Sequence, residues 1–101
     1  MTNKDLDKVS CRSPDPSKTP TNIPKWKYDT VANAITEILR AEEAAYFSDL
    51  PDKVGETLSP EARDNLGSLA WHVTTVKLEM ETRGDIERVE GKGKHRLRLT
   101  R

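Results

Sequence analysis

The 101 residues predict a single α+β domain in which a three-helix core, with one short extra helical turn, precedes a small antiparallel β-hairpin. Three observations carry that prediction. Apolar residues recur at three- and four-residue spacing in successive stretches between Tyr28 and Met80. Ser59 and Ser68 stand where helices begin, and Gly67 and Gly84 where they end. After Gly84 the apolar period drops to two on either side of a glycine pair, the pattern of two strands and a turn.

In order along the chain, residues 1–24 hold four of the six prolines and only scattered apolar side chains such as Leu6, Val9 and Ile23. Such a stretch buries too little apolar surface to offset chain ordering, so a flexible Pro-rich tail is expected there and the folded domain over 25–101. Tyr28, Val31, Ala32, Ile35, Ile38 and Leu39 define a first helix over 29–43, with Asp29 and Thr30 suited to its N-terminus. Ala45-Tyr46-Phe47 reads as a short strand, and Ser48 as the cap of a second helix bearing Leu50, Val54 and Leu58. Ser59-Pro60 restarts a short helical segment that Gly67 closes.

Ser68 opens the strongest predicted helix of the chain, over 69–83, and Gly84 ends it. At about 100° per residue, Leu69, Val73, Val76 and Met80 share its core face. Trp71, Thr74, Thr75, Leu78 and Thr82 lie opposite. Ile86-Glu87-Arg88-Val89 then forms a strand, Glu90-Gly91-Lys92-Gly93 a turn, and His95 to Thr100 the return strand with Leu97 and Leu99 on one face.

Charge is balanced, with 17 basic and 17 acidic residues, yet it is strongly partitioned. Residues 1–28 sum to +3, residues 29–90 to −8 and residues 91–101 to +5. A zero total excludes a general polyanion binder, while the basic C-terminal block coincides with the predicted hairpin. No apolar run approaches the roughly 20 residues of a membrane span, and no apolar signal segment opens the chain. One cysteine, Cys11, leaves no intrachain disulfide framework, so a cytoplasmic setting is expected.

The run RGDIERVEGKG at Arg83–Gly93, followed by RLRL, resembles the passage from recognition helix to wing in winged helix-turn-helix DNA-binding proteins. GSLAWHVTTVKLEME is also similar to a group of small, uncharacterised prokaryotic winged-helix proteins. The resemblance spans Tyr28–Arg101 and implies a winged helix, with residues 68–83 entering a DNA groove and residues 91–98 touching the backbone. It implies a small transcriptional regulator whose contacts are Ser68, Thr74, Thr75 and Lys77 on the helix, and Lys92, Lys94 and Arg96 on the wing. Basic wing residues can neutralise phosphates, each contact steepening the salt dependence by about 0.9. A basic hairpin edge also serves simply to block strand-to-strand aggregation.

A second reading stands beside the first. The outward face of the long helix has no Arg, Asn or Gln for bidentate base reading, and Glu79 and Glu81 would sit badly near phosphates. The nine residues 59–67 also lengthen the usual tight turn between the two helices. Trp71 and Leu78 would instead anchor a homodimer or a protein partner, without DNA, unless Trp26 folds back to cover them. Catalysis is not expected. His72 borders the core face, His95 opens a strand, and with Cys11 they make no zinc spacing, so neither metal nor cofactor is implied.

Overall fold

The computed structural model describes residues 7–15, 17–89 and 96–100. The element order is β1 (Lys8–Cys11), β2 (Thr21–Pro24), α1 (Lys25–Glu42), β3 (Ala45–Tyr46), α2 (Leu50–Thr57), α3 (Pro60–Leu66), α4 (Leu69–Arg83), β4 (Ile86–Val89) and β5 (Arg96–Leu99). A single 3-10 turn, Phe47–Asp49, leads into α2. The α+β class expected from the sequence is therefore observed, with small antiparallel sheets beside four helices.

The helix boundaries follow local chemistry closely from α3 onward. Ser59 accepts from the Ala62 amide at 3.1 Å, and Pro60 occupies the first turn, where a missing N–H costs nothing. Gly67 then takes φ +88° and ψ −135°, a region closed to side-chain-bearing residues. Ser68 caps α4 by accepting from Trp71 at 3.3 Å. At the other end Gly84 adopts the left-handed conformation, and the Asp85 amide donates to the Met80 carbonyl at 2.9 Å, so the last carbonyls of α4 are satisfied.

Earlier in the chain the structure departs from the sequence reading. The first helix begins at Lys25, immediately after β2, and Asp29 is one turn inside it, paired with Lys25 at 2.6 Å rather than capping. Ser48 lies within the 3-10 turn and does not cap α2. The helix α1 stops in a tight three-residue turn in which Ala44 donates to the Glu42 carbonyl at 2.6 Å and Glu43 is forced to φ +65°.

The largest departure concerns the supposed tail. Residues 8–11 and 21–24 pair as an antiparallel hairpin in the register Val9↔Ile23 and Cys11↔Thr21. Cys11 and Ile23 are buried, and Val9 packs against the same core. The hairpin rests on α1 and α4. Its strands carry only three apolar side chains, Val9, Cys11 and Ile23, too few to hold a free hairpin, so its order is tertiary in origin.

A three-stranded sheet packs on the same two helices. Its order is β3-β5-β4, so the two-residue strand between α1 and α2 adds to the last strand of the C-terminal hairpin. The β4–β5 register sets Ile86 against Leu99 and Arg88 against Leu97. The core joins Val31, Ile35 and Leu39 of α1, Leu50 and Val54 of α2, Val73, Val76 and Met80 of α4, and Ile86 and Leu97 of the sheet. The core face expected for α4 is observed apart from Leu69, which is partly buried.

Candidate nucleic-acid interface

Helix α4 mixes charged and apolar residues, and the fold sorts them in an order that periodicity does not show. Lys77 and Glu79 are buried and Glu81 partly so, while Arg83 remains exposed at its C-terminal end. Lys77 is only 2% exposed: its ammonium lies 2.5 Å from Glu81 and 4.6 Å from the centre of the Phe47 ring. Lys77 is therefore withdrawn from the proposed contacts, because a cation held between a carboxylate and an aromatic face cannot reach a phosphate without unpacking both.

Glu79, expected near solvent, is 1% exposed. Its carboxylate accepts four hydrogen bonds: from the Arg12 amide at 2.8 Å, Arg12 Nε at 3.0 Å, Arg12 Nη2 at 2.9 Å and Arg83 Nε at 2.7 Å. Burial pushes this carboxyl upward, but the hydrogen bonds from Arg12 and Arg83 outweigh it and hold the pKa at about 2. Arg83 also stacks over Tyr28, its guanidinium 4.7 Å from the ring centre. Burial raises the neighbouring Cys11 thiol to about 11 and the Tyr28 hydroxyl to about 12.

Glu81 meets Arg88 at 3.2 Å as well as Lys77. With both acids of α4 occupied, its outer strip is uncharged. Ser68, Ala70, Trp71 and Thr74 are exposed on its N-terminal half. Thr75 and Leu78 are half-buried, because the loop of the N-terminal hairpin lies across them.

Trp71 is 47% exposed, and its ring meets the edge of His72 at 4.8 Å. Trp26 does not cover it; it lines a separate cleft with Asp7, Lys25, Asp29 and Thr30. His72 is a packing residue whose Nδ1 lies 2.7 Å from the Ser68 carbonyl, so Nδ1 carries the proton. Burial is the main cause that lowers its pKa, which keeps the ring neutral at pH 7.

Of the residues expected in a wing, Arg96 is exposed beside Tyr46, its guanidinium 6.0 Å from the ring centre, and Arg98 pairs with Glu87 at 2.6 Å. Lys92, Lys94 and His95 lie outside the described residues. Sequence reasoning missed Arg12 altogether. Its partner Glu79 stands 67 positions away, and no local signal links the two. Among the described residues, no group of three or more His, Cys, Asp or Glu side chains converges as metal ligands, and no helix is long and apolar enough to cross a membrane.

These features define a small α+β domain whose α4 presents an exposed, uncharged strip, with Arg12 and Lys18 lining a cleft beside Thr75 and Leu78. The chain belongs to the family of unknown function DUF6958, whose model matches residues 8–97. The match includes β1, so the N-terminal hairpin is part of the shared unit. No curated protein and no solved structure matches the chain.

Proposed function

We propose that this domain is a winged helix that binds duplex DNA, as a small transcriptional regulator in the cytoplasm. One observation carries the reading. The sheet order β3-β5-β4 joins a strand inserted between α1 and α2 to a hairpin that directly follows α4, so the long helix and strands β4 and β5 belong to one packed body. The neutralised acids of α4 support it further, since the face offered to a polyanion carries no free carboxylate. Ser68, Thr74 and Thr75 would meet the groove and phosphates. Arg96 would meet the backbone, together with Lys92 and Lys94 of the basic segment that follows β4 in the sequence.

A salt series of duplex binding tests it. The wild type binds at low salt with a steep dependence, and replacing Lys92, Lys94 and Arg96 together by alanine flattens the slope by about 2.7, at about 0.9 per phosphate contact. Absence of binding at low salt, or an unchanged slope in the triple variant, ends the DNA reading.

The exposure of Trp71 favours a second reading, a protein-interaction winged helix without catalytic activity. Leu78 contributes less than the sequence suggested, because the hairpin loop half-covers it. Sedimentation of the wild type and Trp71→Ala decides the self-association form of this reading: a wild-type dimer that the substitution dissociates supports it, and monomers in both cases remove it.

A further inference from the structure

We propose that the cleft between the loop of the N-terminal hairpin and the outer face of α4 is an anion pocket with the chemistry of a phosphate-group site. The cleft encloses about 200 Å³ and is lined on the hairpin side by Arg12, Ser13, Lys18, Thr19 and Thr21 and on the helix side by Thr75. Cys11 and Leu78 supply its apolar part. Two cations and four hydroxyl groups thus converge where no carboxylate lines the wall.

The nearby acids are occupied elsewhere. Glu79 spends its oxygens on Arg12 and Arg83 beneath the cleft. Asp15 turns back into the loop, accepting from the Ser17 amide at 2.9 Å and the Ser17 hydroxyl at 2.8 Å. Arg12 uses Nε and Nη2 on Glu79, so Nη1 keeps its donors, and its guanidinium position is fixed before any ligand arrives. The hydroxyls of Thr19, Thr21 and Thr75 have no side-chain partner among the described residues.

Donors without acceptors on both walls select a ligand rich in acceptors. A tetrahedral phosphate presents oxygens to hairpin and helix at once, whereas a planar carboxylate reaches fewer of these donors. The volume, below the roughly 300 Å³ at which drug-sized sites begin, suits a phosphate with a small carbon skeleton against Leu78. The same chemistry would accept a backbone phosphate of duplex DNA lying along α4. The pocket itself does not depend on the DNA reading.

The test is an NMR titration of the full chain at low ionic strength with inorganic phosphate and with phenyl phosphate, against sodium acetate as control. Saturable shifts confined to Arg12, Ser13, Thr19, Thr21 and Thr75 are expected, with phenyl phosphate binding more tightly than either anion. Lys18→Ala and Thr75→Val, both at side chains outside the core, should each weaken phenyl phosphate binding by about tenfold, or 1.4 kcal/mol. Shifts that stay linear, that spread over every basic residue, that acetate reproduces equally, or that neither variant weakens, overturn the pocket. Duplex DNA added to the phenyl phosphate complex separates the two sources. Displacement assigns the pocket to a backbone phosphate, and joint binding assigns it to a free phosphate monoester. DNA that fails to bind defeats the proposed function alone and leaves the pocket standing.

Discussion

Replacing Glu79 by glutamine removes one charge at the point where the N-terminal hairpin is fastened to α4. The native carboxyl titrates at about 2 rather than at its ordinary 4.5, a gap worth about 3 kcal/mol at 1.36 kcal/mol per unit. Because the folded pKa is the lower one, this stability is complete above about pH 5 and drains away as the pH falls toward 2. Glu79→Gln keeps the shape and some hydrogen bonding, but leaves Arg12 and Arg83 facing a neutral group. Urea unfolding should show the variant less stable by about 3 kcal/mol at pH 7, a large share of a small domain's total. The difference should narrow progressively between pH 5 and pH 2. Hydrogen exchange would locate the loss, with amides of Val9 and Ile23 losing protection before those of α1. Equal stabilities at pH 7 would refute the reasoning. So would a deficit that stays constant on acidification, since that would make the effect one of packing and not of charge.

Three further outcomes follow from the same geometry. Glu43→Gly should raise stability by about 1 kcal/mol in thermal unfolding, because glycine accepts the φ of +65° at the end of α1 without strain. Ser68→Ala should cost about 1 kcal/mol through loss of the cap on the Trp71 amide, measured by denaturant titration against Ser59→Ala as a matched cap. Alkylation of Cys11 under native conditions should be slow at pH 8, since burial holds the thiol protonated up to about pH 11. It should accelerate in Glu79→Gln if the hairpin opens; equal rates in both proteins would show that Cys11 is exposed by a different motion.

Local signals govern the structure where side chains act on their own backbone. Ser59 and Ser68 accept from amides three residues ahead, Gly67 and Gly84 take positive φ, and the alternation of Ile86–Val89 and Arg96–Leu99 forms strands. Each of these signals involves groups within a few residues, so the sequence carries it directly. The candidate face was legible in the same way: Trp71 and Thr74 point outward because Val73, Val76 and Met80 point in. Of the proposed contacts on α4, Ser68 and Thr74 are exposed, Thr75 is half-buried beside the hairpin loop and Lys77 is buried.

By itself, then, the sequence determined the α+β class, the helices from α3 onward and the C-terminal hairpin, since those rest on period, caps and turn glycines. Only the tertiary structure decided the fate of the first 24 residues and of the charges on α4. A strand of four residues with one or two apolar side chains has no local stability, and β1 and β2 form because α1 and α4 cover Cys11 and Ile23. A glutamate reads as solvent-facing until its counter-charges are known. Arg12 comes to Glu79 from 67 positions away, and that long-range pairing, invisible to any window along the chain, turns an apparent tail into a wall of the candidate site.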